Sequence, residues 1–320
     1  MPRRVGVGFS IHMFISLSRF RSSLLASLSL WALLVTLRHE AQAQAPRAEH
    51  FVIIGCDGMS PDGVLKAKTP VMRRMMAEGS WTLQARGVMP TSSSPNWASM
   101  IMGAGPEQHG VTSNDWQTNK FEISPVVVGS GGIFPTIFSV LREQKPKSIL
   151  GVFHDWNDYG RLFERAACNQ IEDSVGPTNA ARHAIAWFKE TKPTFLFIHL
   201  DHVDHAGHHD GHGTPEYYAS VEVADQLIGE ILQGIKEAGV ADRTLVLVTA
   251  DHGGVAKGHG GATMAEIEIP WILTGPRVAK GKQIKEPVNT YDTAATVAYA
   301  FGLKQPKAWI AKPVITAFGR

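Results

Sequence analysis

The chain has 320 residues, 44% of them apolar, which is enough to bury a large core within one α/β domain. Its formal net charge is only +2 at pH 7. The basic residues are scattered rather than gathered beside aromatics, which excludes the charged stripe of a nucleic-acid-binding surface, and no internal repeat or low-complexity tract is present.

At the amino terminus, Arg3, Arg4, Arg19 and Arg21 precede an apolar run over residues 24–37, followed by Ala41-Gln42-Ala43-Gln44-Ala45. That is the pattern of a signal peptide, because the run is shorter than the roughly 20 residues a membrane span requires and small residues follow it. Cleavage is expected after Ala43 or Ala45, which leaves residues 46–320 as a single domain, periplasmic or secreted. An uncleaved anchor is the alternative.

In the mature chain, the run 51–56 reads as a strand buried on both faces. Thr69-Pro70 opens a helix to about residue 79, with Thr69 as its cap and Pro70 in the first helical position. A strand follows over 81–88. Ser94-Pro95 then starts a helix that ends at Gly103, so Ser93 lies at a helix amino terminus, where free amides and the positive dipole end suit a phosphoryl group.

Further on, the pattern predicts a helix over 135–144, a strand over 148–153, a helix over 179–190 and a strand over 194–200. Residues 201–212 read as a short loop rich in potential ligands. The long helix 215–238 carries Val223, Leu227, Ile228, Ile231, Leu232 and Ile235 as a core-facing stripe. Strands over 244–249 and 267–273 and a helix over 290–301 complete the chain. Such alternation predicts an α/β fold, a mostly parallel central sheet with helices on both faces.

Ligands bind outside the carboxyl ends of the strands in such sheets. Asp57, Asp204, His205, His208, Asp251, His252, His259 and the hydroxyl of Ser93 all fall at predicted strand ends. The histidine-rich tract 201–212 taken alone could be a metal-buffering loop. Asp251-His252-Gly253-Gly254 and Gly258-His259-Gly260 add donors from separate segments, as a built metal site requires, and glycines let adjacent side chains wrap one ion. The set reads as a two-metal hydrolase. Cys56 and Cys168, the only cysteines, are expected to remain separate thiols.

Several motifs in register resemble the alkaline phosphatase superfamily, most closely its type I phosphodiesterase/nucleotide pyrophosphatase branch. They are Gly55-Cys56-Asp57-Gly58, Thr69-Pro70, Pro90-Thr91-Ser92-Ser93-Ser94-Pro95-Asn96 with the glycines that follow, Asp204 with His208, Asp251-His252-Gly253, His259-Gly260, and the closing Tyr291-Asp292-Thr293 and Gly302-Leu303. The resemblance covers nearly all of the mature chain and implies an alkaline phosphatase-like catalytic domain. It implies one divalent ion held by Asp57, Asp251 and His252 beside the Ser93 oxygen, and another held by Asp204, His208 and His259. Zinc is the expected ion for mixed carboxylate and imidazole donors.

In the branch's Thr-Phe-Pro-Asn motif the nucleophile stands three residues before the asparagine, which here puts Ser93 before Asn96. Cations about 3.5 to 4 Å apart would activate the serine and neutralise the leaving oxygen, giving a phosphoseryl intermediate. Asn96 and the Ser93 amide would hydrogen-bond the non-bridging oxygens. His205, His209 and His212 fall outside the ligand set. Ser94 stands where the branch carries phenylalanine, which puts nucleotide preference in doubt.

The expected partner is a small phosphate-ester substrate, with no nucleic-acid polymer and no stable membrane span after processing. Alternatives within the superfamily are a phosphomonoesterase and a phosphonate or sulfate ester hydrolase. From another class, a catalytically silent metal-binding protein is the rival.

Overall fold

A computed structural model describes residues 48–319. The predicted signal peptide lies outside the described residues. In chain order the elements are β1 (His50–Cys56), α1 (Pro61–Lys66), α2 (Pro70–Glu78), β2 (Ser80–Arg86), α3 (Ser93–Met102), α4 (Pro106–His109), α5 (Ile137–Gln144), β3 (Leu150–His154), β4 (Gln170–Asp173), α6 (Pro177–Thr191), β5 (Phe195–Leu200), α7 (His202–Asp210), α8 (Pro215–Glu237), β6 (Thr244–Thr249), α9 (Met264–Ile267), β7 (Glu268–Thr274), β8 (Lys282–Gln283) and α10 (Asp292–Phe301).

Among the described residues, the strands form one eight-stranded sheet in the order β4-β3-β5-β1-β6-β7-β2-β8. From β4 to β6 every pairing is parallel. β7 runs antiparallel to both its neighbours, and β8 lies parallel to β2. The sheet is therefore mostly parallel, and the carboxyl ends of β3, β5, β1 and β6 open on one edge.

The central strands are buried on both faces, with alternate side chains pointing to opposite sides. Phe51, Ile53 and Gly55 of β1 align with Phe195, Phe197 and His199 of β5, so these residues share one face. Helices α3, α5 and α10 cover that face: Trp97 meets Phe197 edge-on at 5.8 Å, Phe138 meets Phe195 at 5.1 Å and Phe301 meets Phe51 at 6.4 Å. Helices α1, α2, α6 and α8 group on the opposite face, where Phe188 meets His50.

Gly55 sets the spacing between β1 and α3. A Cβ there would stand 2.5 Å from the Trp97 ring. Gly55→Ala is expected to displace this fully buried indole and to cost about 1–3 kcal/mol, as overpacking typically does. An unchanged denaturant midpoint would show that the indole has room to move.

The predicted strands and helices appear within two residues of their expected ends, with several corrections. Residues 201–212 hold a helix, α7, rather than a loop. Histidine, aspartate and glycine are weak helix formers, yet tertiary contacts override them. Asp155 Oδ1 accepts from the Asp201 amide at 2.7 Å, and Ser220 of α8 exchanges two hydrogen bonds with His202.

Thr69 does not cap α2, since its hydroxyl donates to the Val64 carbonyl. Asp225 of α8 serves that end instead, accepting from the Val71 and Met72 amides at 3.0 and 2.8 Å. Val223 is exposed, while Val221 and Ala224 join Leu227, Ile228, Ile231 and Ile235 in the core. Cys56 is buried and Cys168 half-buried, and both thiols are free.

Candidate metal centre

Four chain segments deliver polar side chains to the open edge of the sheet. Asp57 directly follows β1, and its amide extends the ladder to the Leu200 carbonyl at 2.9 Å. The next residue, Gly58, has φ +66° and its amide donates to Asp251 Oδ1 at 3.2 Å. A side chain there would meet Asp204 Oδ1 at 2.7 Å, so glycine serves both the turn and the close approach.

After β6, Asp251 and His252 are fully buried, and the turn folds them together with His252 Nε2 3.2 Å from Asp251 Oδ2 and 3.3 Å from Asp57 Oδ1. On α7, the four-residue spacing of Asp204 and His208 puts them on one helix face, Nε2 to Oδ2 at 3.3 Å. His259 Nε2 lies 3.1 Å from His208 Nε2 and 3.7 Å from Asp204 Oδ1. The His252 and His259 rings stack at 3.7 Å and so join the two clusters.

Each of the three histidines presents Nδ1 to a backbone carbonyl: His208 to Lys257 at 3.0 Å, His252 to Gly253 at 2.8 Å and His259 to Thr91 at 2.8 Å. This pairing places the proton on Nδ1 and leaves the Nε2 lone pair facing inward, which is the tautomer a metal ligand needs. The carboxylates complement it. Asp57 Oδ1, Asp204 Oδ1 and Asp251 Oδ2 are buried without a hydrogen-bond partner. Three buried carboxylate oxygens without donors beside inward imidazole lone pairs fit divalent cations.

Electrostatics in the protein alone agree. Burial and the charge of Asp57 outweigh the nearby imidazoles and raise Asp204 to about 6, while burial and the charges of Asp57 and Asp204 push Asp251 well above the carboxylate range. Asp57 is also buried, but the hydrogen bond from His199 and the charges of His252 and His199 outweigh burial and lower it to about 2. Burial and the neighbouring His252 lower His259 to about 4, which keeps its ring neutral near pH 7.

Ser93 is the first residue of α3, and its Oγ stands 3.1 Å from His252 Nε2. Thr91 lies nearby but is occupied, donating to the Gly261 carbonyl and accepting from the Gly260 amide. Ser94 is fully buried and forms no wall of an open slot.

Asn96 departs from its expected role. Its Oδ1 accepts from the Val88 amide at 2.6 Å, and its Nδ2 donates to the carbonyls of Val88, Pro90 and Ser92. With its amide spent on the loop that carries Ser93, Asn96 shapes the approach to the helix and has no donor left for an incoming oxygen.

Asn114 is the amide that sequence reasoning missed. Its Oδ1 accepts from the Ser94 amide at 2.8 Å, beside Ser93, and its Nδ2 donates to no partner among the described residues. No local pattern marks it, since the contact joins residues 20 positions apart. His205 and His209 are exposed. The His212 ring lies against Tyr217, close to Gly207 and Gly254.

His199 joins the centre from behind, and a histidine inside the apolar strand Phe-Leu-Phe-Ile-His-Leu signals a buried group in need of partners. It faces Asp57 on one side and Asp155 on the other.

The type I phosphodiesterase/nucleotide pyrophosphatase family model matches residues 51–260. Human ectonucleotide pyrophosphatase/phosphodiesterase family member 5 is 22% identical over 216 residues, covering 65% of this chain and 45% of the relative. The chain spans less than half the length of the curated relatives it matches.

A solved structure of an inactive murine ectonucleotide pyrophosphatase/phosphodiesterase 5 variant, in complex with AMP, aligns with a TM-score of 0.69 at 16% identity over 84% of this chain and 98% of that one. A mutant of the alkaline phosphatase PafA aligns with a TM-score of 0.73 at 12% identity over 86% and 99%. At these identities the likeness establishes the fold, which is alkaline phosphatase-like.

Proposed function

Because the chain belongs to the type I phosphodiesterase/nucleotide pyrophosphatase family, we propose that it hydrolyses phosphodiester or nucleotide pyrophosphate bonds of small substrates through a phosphorylated Ser93. The observation that carries this reading is the position of Ser93 Oγ, 3.1 Å from His252 Nε2, at the edge of a centre with three unpartnered buried carboxylate oxygens.

Asp57, Asp251 and His252 would hold one divalent ion, and Asp204, His208 and His259 the other, with zinc favoured by the donor set. Bound there, the ions would supply Lewis acidity and neutralise charge that develops on the phosphoryl group. Ser93 Oγ attacks phosphorus and the bond to the leaving oxygen breaks. Water then cleaves the phosphoseryl ester and returns the serine. The Ser93 amide at the amino terminus of α3 and the NH2 of Asn114 are the donors placed for the non-bridging oxygens.

Diester preference draws support from charge. Among the described residues, no arginine or lysine side chain bonds to Ser93 or to the six proposed ligands, whereas a monoester carries an additional negative charge to be met. On metal-analysed protein, kcat/KM for bis-p-nitrophenyl phosphate is expected to exceed that for p-nitrophenyl phosphate, with sulfate esters slower than both. The reverse order would make the protein a phosphomonoesterase. Nucleotides belong in the same panel, since the murine relative is seen with AMP.

Export is part of the same proposal: residues 1–45 as a signal peptide, with residues 46–320 as a periplasmic or secreted catalytic domain. Its support is the sequence pattern. Among the described residues, no helix is long and apolar enough to cross a membrane.

A further inference from the structure

Behind the two proposed metal sites lies a third polar group that the reaction does not use directly. His199 is fully buried on β5, level with Gly55 of the adjacent β1. Its Nε2 lies 3.1 Å from Asp57 Oδ2 and its Nδ1 3.2 Å from Asp155 Oδ1. Asp57 Oδ2 also accepts from the Trp97 indole at 3.0 Å. Asp57 Oδ1, in contrast, is buried and accepts from nothing.

The carboxylate is thus asymmetric: two donors grip one oxygen and the other is turned towards Asp251 and His252. Packing holds the gripping groups. The Trp97, Tyr159 and Trp156 rings surround His199 with centroids at 5.0, 5.3 and 6.1 Å. Asp155 is anchored in turn by the Asp201 amide at the start of α7. The three ligand histidines each pair Nδ1 with a carbonyl, whereas both nitrogens of His199 face carboxylates, which marks it for a different task.

We propose that His199 is a positioning residue: clamped between Asp57 and Asp155, it fixes the Asp57 carboxylate with Oδ1 free for a cation, and so sets the affinity of the Asp57–Asp251–His252 site. The inference rests on the two-metal reading above. A carboxylate free to rotate would have to be ordered when the ion binds, and would lose affinity by that cost. Asp57, His199 and Asp201 are also close enough to suggest a third cation. Both ring nitrogens and Asp57 Oδ2 already have partners, which favours the clamp.

The test is zinc affinity by chelator competition, with zinc counted per chain, on the full protein. His199→Leu is expected to keep the zinc of Asp204, His208 and His259 and to bind the other zinc 10–100-fold more weakly, the usual cost of losing a group that orients a ligand. His199→Gln, whose amide can reach Asp57, should recover most of that affinity. His199→Asn, which reaches only towards Asp155, should not.

If His199→Leu does not fold, the Gln and Asn variants still decide, since both keep a polar side chain and differ in which carboxylate they reach. Equal losses in Gln and Asn, unchanged affinity in Leu, or three zinc ions per wild-type chain would each overturn the clamp. Fewer than two zinc ions in the wild type would instead defeat the two-metal reading, before any variant is compared.

Discussion

Ser93→Ala is expected to bind two cations per chain and to lose turnover by about 10⁴-fold or more, the scale on which removal of a nucleophile acts. The substitution deletes one oxygen at the first position of α3, where alanine is a good helix former. Asp57, Asp251 and His252 keep their positions because their contacts run through Gly58, Trp97, His199 and the Gly253 carbonyl. Elemental analysis with steady-state kinetics on a diester separates the two effects. Activity near wild type in a metal-replete variant would mean that water attacks directly, and the phosphoseryl route would fall.

Stripping the cations is expected to abolish activity and to lower thermal stability, with both restored by zinc. Removal leaves Asp57 Oδ1, Asp204 Oδ1 and Asp251 Oδ2 without partners in a buried space, where each must either carry an uncompensated charge or take up a proton. The acid side of this dependence has a definite sign. Asp204 is raised to about 6 by burial and by the charge of Asp57, so below that pH a proton competes with the cation for its oxygen.

Apparent zinc affinity at the Asp204–His208–His259 site should therefore fall by at least about tenfold per pH unit between pH 6 and pH 4.5, the slope that one proton on Asp204 contributes by itself. His259, lowered to about 4, stays neutral through that window and steepens the loss only below it. In the stripped protein the same raised Asp204 works against folding above about pH 6, and that penalty fades as pH falls towards the unfolded value near 4. Chelator-buffered titrations from pH 7.5 to 4.5 measure the slope. A flat profile would remove Asp204 from the ligand set.

Local pattern was enough to place the elements and to mark the polar side chains that meet at the open edge of the sheet. Apolar runs such as Leu245-Val246-Leu247-Val248 mark buried strands wherever they occur, and β6 matches its expected bounds. Polar residues placed just after those runs are legible as one cluster because a parallel sheet gathers strand ends on one edge. Asp57, Asp251, His252, Asp204, His208 and His259 do converge, as their positions after strands and beside glycines implied.

How those side chains are occupied follows from folding. Asn96 reads as a free amide until the carbonyls of Val88, Pro90 and Ser92 consume it. Asn114 carries no local signal, and the apolar strand around His199 marks it as a buried group without naming its partners, because those partners lie 20 and 142 positions away. The reversed direction of β7 and the helical form of residues 202–210 likewise depend on β6, β2 and α8. Periodicity and propensity are properties of neighbours along the chain, whereas hydrogen-bond satisfaction in a buried centre depends on residues brought together by folding.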